Sequence, residues 1–274
     1  LERLVQALSV DEGIAADRLR RWVSTMVLLG ALGRVGDDAH RFLLKGGVAM
    51  ELRLRLRARA TKDIDIIVIP DRNADILEVL QDALDEPYLD FAFRLTDSRP
   101  IERTPAQRMS VKMTYRGKSW ATLQLEASGP EAGSDEAEQI GAFSLTQLGL
   151  DGPDEVACQS LRYQIATKLH AVTERFDDRE NDRFRDLIDL LLLRDLEPDL
   201  TPLAEACRDV FTSRGKQSWP PRLTVEPSWP DEYRALAFDL DFAVGDVTEA
   251  ATLVQELIDQ LAATPASTGK RAPE

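Results

Sequence analysis

Apolar positions at helical spacing open the chain. Leu4, Leu8 and Val10, then Leu19, Trp22, Val23 and Met26, predict a helix pair within 2–35, with Asp11 capping the second helix. Phe42–Leu44 predicts a short strand, Gly46–Gly47 a tight turn, and Val48–Leu54 a helix leaving it. Taken alone, ELRLRLRARA alternates with period two and also reads as a strand. The run DIDIIVI at 63–69 is the clearest strand, β-branched and closed by Pro70. A helix is expected at about 72–85, then strands at 108–116 and Ser119–Glu126 around a turn at Arg116–Lys118, then a polar loop over Ser128–Gln139. From about 154 the pattern turns helical: Val156–Arg175, a break at FDDREND, Arg183–Leu193, a Pro/Trp loop at 213–231 and a last helix at about 246–263. The expected fold class is α+β with two lobes. An N-terminal α/β lobe with a small mixed sheet covers 1–150, a helical lobe covers 151–265, and 266–274 is a disordered tail.

Composition narrows the function classes. A length of 274 residues is long for one core, which supports two lobes. No apolar run approaches the roughly 18 residues that a membrane span needs, and acidic and basic residues interrupt the N-terminus, so a cytoplasmic protein without membrane association is expected. Cys158 and Cys207 are isolated and read as buried thiols of a reducing compartment. With only His40 and His170 to join them, a structural zinc site is not expected. The net charge of −14 disfavours non-specific nucleic-acid binding. Charge is uneven, however: residues 41–62 carry seven Lys or Arg against the single acid Glu51. A basic patch on an acidic body suits a phosphate-rich ligand docking at one place, and Arg57, Arg59 and Lys62 either steer RNA or brace the loop before the next strand.

Asp63 and Asp65 stand two apart on that strand, so both carboxylates share a face with Cα atoms roughly 6.6 Å apart. Their repulsion is about 2.5 kcal/mol at an effective dielectric near 20. On a strand this apolar a divalent cation is the obvious remedy, and hard carboxylate oxygens match Mg²⁺ completed by substrate phosphates. Two acids facing solvent at a strand end is the alternative. The preceding Gly46–Gly47 turn and helix start allow backbone to approach phosphate. Downstream, Glu126 ends a strand that could bring a third carboxylate to the same edge. Three acids holding metal suit an in-line displacement at phosphorus, with Glu126 or a water it holds as general base.

These residues resemble the nucleotidyltransferase superfamily that includes DNA polymerase β: LKGG at 44–47, Asp63-Ile64-Asp65, then Glu126. More narrowly, KGGVAMELR, RATKDIDI and ATKLHAVTERF…RFRDLIDLLLL are similar to the AbiEii/AbiGii abortive-infection toxins, including the MenT type, over about 41–195. The resemblance implies Mg²⁺ on Asp63, Asp65 and Glu126, and an NTP held at Lys45, Gly46, Gly47 and Lys168. It also implies that Lys168 meets the triphosphate while Asp186 orients it. From the residues alone, Asp186 and Asp189 share one face of an apolar helix and call for a cationic partner among Lys168, Arg175 and Arg185, so an inter-helix ion pair is the alternative. The sequence departs from the family at Thr167, where an acid is common, at Gly47 in place of Ser, and at Glu126 in place of Asp.

The resemblance implies transfer of NMP from an NTP to an RNA acceptor, the tRNA 3′ end, with release of pyrophosphate, and a cognate antitoxin as partner. A small-molecule or protein acceptor and a non-catalytic nucleotide-binding module are the alternatives. His170, about 200° around its helix from Lys168, is expected to face elsewhere, and Trp219 and Trp229 to be packing anchors.

Overall fold

The computed structural model describes residues 1–34, 42–55, 59, 61–70, 74–102, 104–196 and 198–265. The basic positions Arg41 and Arg57, and the expected tail 266–274, lie outside the described residues. The fold is α+β, and the chain divides into two compact units. The first comprises 1–55 and 60–159, the second 56–59 and 160–274.

In the first unit, helices α1 (Glu2–Glu12) and α2 (Ala16–Gly33) precede β1 (Phe42–Lys45), α3 (Gly46–Leu54), β2 (Asp63–Val68) and α4 (Ile76–Asp85). Then come β3 (Phe91–Pro100), β4 (Gln107–Tyr115), β5 (Lys118–Ser128), β6 (Ala137–Gly141) and β7 (Glu155–Gln159). The strands form one mixed sheet in the order β3-β4-β5-β2-β1-β7-β6. Strand β2 is central, antiparallel to β1 and parallel to β5.

Strand alternation sorts the two faces. Leu44, Ile64, Ile66, Met109, Val111 and Leu125 point to one side and join the core with Val23, Met26 and Val27 of α2 and Val79, Leu80 and Leu84 of α4. Burying each such side chain stabilises the unit by roughly 1.5–3 kcal/mol. The opposite face carries Asp63, Asp65, Gln124, Glu126 and Arg108, so apolar packing on one side fixes which side presents the acids.

Several sequence expectations need correction. Asp11 lies within α1 and caps nothing; α1 ends at Gly13 in the left-handed conformation, and α2 has Ala15 at its N-cap. The helix expected from Val156 starts at Leu161, because Val156 and Cys158 belong to β7, a strand parallel to β1. Strands β3 and β6 were not expected, although FAFRL at the start of β3 alternates with period two.

The second unit holds α5 (Leu161–Thr173), α6 (Phe184–Arg194), α7 (Leu200–Arg214), α8 (Trp229–Asp239) and α9 (Val247–Ala263). The acidic break between α5 and α6 is closed by Asn181, 2% exposed. Its Nδ2 donates to the carbonyls of Ala171 at 2.9 Å and Glu174 at 2.8 Å, and its Oδ1 accepts from the Arg183 backbone N–H at 2.9 Å. One buried amide thus satisfies carbonyls that the end of α5 leaves open. Trp229 is fully buried, and Trp219 packs against Phe211, both as anchors. No helix among the described residues is long and apolar enough to cross a membrane.

Candidate active site

The sheet brings three of the expected acids to one place. Asp63 and Asp65 are both half-buried, alternating with the core residues Ile64 and Ile66. Glu126 is the direct cross-strand partner of Asp65, and Gln124 that of Asp63. On the other side Lys45, the last residue of β1, pairs with Asp65. Carboxylates from two strands therefore meet beside the Gly-Gly turn that starts α3.

The glycines are required by close approach. Gly46 has φ +65°, and a Cβ there would lie 2.1 Å from Asp65 Oδ2. Any other residue would displace the carboxylate. A Cβ on Gly47 would lie 2.7 Å from the Thr61 Cβ. That contact accounts for glycine at position 47: Thr61 occupies the space a side chain would need.

Thr61 is held in turn by Glu51, the lone acid of the basic run. Glu51, 6% exposed, accepts from the Thr61 backbone N–H at 2.8 Å and from Trp22 Nε1 at 3.1 Å. It ties α3 to the residue two positions before Asp63, which makes it a positioning residue. Its solitude within a basic stretch was the available signal.

Arg108 is the other residue the sequence did not single out. Its Nε donates to Glu126 Oε1 at 2.8 Å, and a second guanidinium nitrogen contacts the same oxygen. The bond to Glu126 raises the Arg108 pKa, and the charges of Asp63 and Asp65 raise it further. The guanidinium therefore offsets part of the acids' mutual repulsion.

The donor set fits a hard divalent cation in part. Asp63 and Asp65 supply carboxylate oxygens on one face, and Mg²⁺ is commonly held by one or two carboxylates with waters and phosphates filling the rest. Glu126 is engaged by Arg108, and among the described residues no three His, Cys, Asp or Glu side chains are gathered as a metal cage. Arg108 contacts only Oε1 of Glu126, so Oε2 alone is left for a metal.

The expected phosphate-binding cations are already engaged. Lys45 Nζ donates to Ser128 Oγ and to Glu131 Oε1, both at 2.8 Å. Lys62 is exposed beside Asp63.

Within the second unit, Lys168 on α5 donates to Asp186 Oδ1 at 2.8 Å and to Asp189 Oδ2 at 2.7 Å, both on α6. Arg59 also belongs to this unit and reaches Asp189 with Nε at 3.2 Å and a terminal nitrogen at 3.1 Å. Two cations thus meet two carboxylates, and the buried knot is neutral. Burial pulls the Lys168 pKa down, but the two carboxylates outweigh it and the pKa is raised. Burial pushes Asp189 up, but Lys168 and Arg59 outweigh it and its pKa is lowered. Arg175 and Arg185, the other cations considered for Asp186 and Asp189, instead meet Thr224 and the Phe184 ring.

His170 lies apart from this knot, fully buried against Phe211 with Nδ1 3.5 Å from Arg214. Burial, then the Arg214 charge, lowers its pKa to about 4. Burial pushes both the Cys158 and Cys207 thiols up to about 12, which makes them unreactive.

Comparison with known proteins places this geometry. Residues 29–264 match the family model described as the nucleotidyl transferase AbiEii toxin of type IV toxin–antitoxin systems. Among solved structures, the chain is similar to the nucleotidyltransferase toxin MenT4 from Mycobacterium tuberculosis at 18% identity and a TM-score of 0.50, over 96% of this chain and 98% of that one. It is also similar to JHP933 from Helicobacter pylori at 20% identity and a TM-score of 0.43, over 88% and 89% of the two chains. No curated protein matches the chain.

Proposed function

We infer the reaction from family and site together: the chain belongs to the AbiEii nucleotidyl transferase toxins, and its sheet sets an acid pair beside a glycine turn. We propose that it transfers NMP from an NTP to an RNA acceptor, the tRNA 3′ end, releasing pyrophosphate and blocking translation under the control of a cognate antitoxin. The observation that carries the transfer is the Gly46–Asp65 approach, which leaves room for a carboxylate and for nothing larger than hydrogen on the turn.

In this proposal Asp63 and Asp65 hold Mg²⁺, which when bound neutralises charge on the triphosphate and polarises its phosphorus. The glycine turn gives phosphate oxygens access to backbone N–H groups at the start of α3. An acceptor hydroxyl oxygen forms a bond to the α-phosphorus, the α–β bridge bond breaks, and pyrophosphate leaves with that electron pair. The hydroxyl proton passes to Glu126 or to a water it holds. Arg108 donates to Oε1 alone, which leaves Oε2 to accept. A small-molecule or protein acceptor is the second reading, favoured by the net charge of −14.

Pyrophosphate release tests the reaction class. Protein, NTP, Mg²⁺ and total tRNA should yield pyrophosphate, and both chelation and Asp65→Asn should abolish it. Release of orthophosphate instead would show attack at the γ-phosphate and overturn nucleotidyl transfer.

A further inference from the structure

The acid-bearing face of the sheet continues past Glu126 into a row of cations. Across the strands, Asp65 pairs with Glu126, Glu126 with Arg108, and Arg108 with Arg99. Four residues along β4, Lys112 pairs with Arg94 and Thr122. Directly paired residues project to the same face. Arg94, Arg99 and Lys112 therefore lie on the side that carries Asp63 and Asp65, and all three are exposed.

Two of these cross-strand pairs join like charges, Arg94 with Lys112 and Arg99 with Arg108, an arrangement that destabilises a sheet. Arg108 has Glu126 as an offset. Among the described residues Arg94, Arg99 and Lys112 stand in no ion pair. Strand β3 is an edge strand, where lysine and arginine also serve to block edge-to-edge pairing. That role does not explain Lys112, which lies on the interior strand β4.

We propose that Arg94, Arg99 and Lys112 form a track for the phosphate backbone of an RNA acceptor whose end lies at Asp63 and Asp65. The proposal rests on the nucleotidyl-transfer reading, because it takes the acid pair as the place where the acceptor hydroxyl reacts. Continuity favours RNA over an acidic protein: the cations begin one strand beyond Glu126 on the same face. Lys112 lies four residues along β4 from Arg108, roughly 13 Å, so contacts extend back from the reacting end along a chain of phosphates. The track also reconciles a net charge of −14 with a polyanionic substrate, since the cations gather beside the site.

Fluorescence anisotropy with a labelled single-stranded RNA, without NTP and with divalent ions chelated, tests the track apart from the chemistry. Three phosphate contacts give a slope of log affinity against log salt of about −2, and each lost contact removes about 0.7. Arg94→Gln/Lys112→Gln should lower the slope by about 1.4 and weaken binding by at least roughly tenfold at low salt, with a melting temperature that does not fall. An unchanged slope and affinity would overturn the proposal. So would aggregation of the variant with RNA binding intact, which assigns the charges to edge protection. Polyglutamate displacing RNA at equal charge concentration would also overturn it, in favour of an acidic protein partner. If the wild type binds RNA with the expected slope yet releases no pyrophosphate, the transfer reading fails and the track stands.

Discussion

Removing the ammonium of Lys168 should cost the protein more than any surface charge would. Lys168 is 9% exposed, Asp186 4% and Asp189 0%, so Lys168→Met leaves Asp186 buried without its cation, while Asp189 keeps Arg59. Breaking a buried pair from one side costs about 3–5 kcal/mol. With a urea dependence of about 3 kcal/mol per M, the unfolding midpoint falls by roughly 1–2 M. Urea unfolding followed by tryptophan fluorescence reads this, because Trp229 is buried among the helices of the same unit. Adding Asp186→Asn to Lys168→Met should recover part of the loss, with a coupling of roughly 1–3 kcal/mol. The pH dependence has a definite sign. Asp189 is lowered, so its contribution is present above the usual value of 3.8 and is lost as pH falls through its lower folded value. Lys168 is raised, so its contribution is full below 10.5 and is lost as pH rises through its higher folded value. A loss below about 1 kcal/mol for Lys168→Met, within the range of ordinary surface substitutions and small polar changes, or strict additivity with Asp186→Asn, would refute the neutral-knot reasoning.

Three other outcomes follow from the geometry. Gly46→Ala places a methyl 2.1 Å from Asp65 Oδ2 at a φ of +65°, so Mn²⁺ affinity measured by calorimetry should fall at least roughly tenfold, the worth of one charged contact; unchanged affinity would show that Asp65 is not a ligand. Arg108→Gln frees Glu126 from its guanidinium, so the same titration should show tighter Mn²⁺ binding, and weaker binding would mean that Arg108 instead orients the acids. His170 has its pKa lowered from 6.5 to about 4, so the unfolded chain takes up its proton first and stability falls as pH drops through that window; His170→Leu should flatten this limb, and an unchanged melting profile over those pH values would assign the dependence to other groups.

How much was legible follows from the range of each signal. DIDIIVI announced both a strand and the face bearing the acids, because alternation with period two is local. That Glu126 would stand opposite Asp65 was an expectation from chain order, and only strand register could place it there. Arg108 escaped notice because its importance comes from a cross-strand neighbour 18 positions away, which sequence spacing does not encode. Strand β7 was hidden because five residues run straight into α5 and merge with its apolar period. Asp186 and Asp189 signalled their need for a cation on an apolar helix, and Lys168 was among the named partners. Arg59 was not, since it was read as a member of the basic patch; its bidentate grip on Asp189 comes from packing within the helical unit. Gly47 is intelligible only once Thr61 is seen against it.

The most direct measurement is transfer of label from each NTP, radiolabelled at the α-phosphate, into total tRNA with Mg²⁺, beside an Asp65→Ala control of unchanged fold. Nucleotidyl transfer to RNA predicts label in tRNA with at least one NTP, lost on mild nuclease trimming of the 3′ end and absent with Asp65→Ala. No label from any NTP with the folded wild type, or equal label with Asp65→Ala, would contradict it.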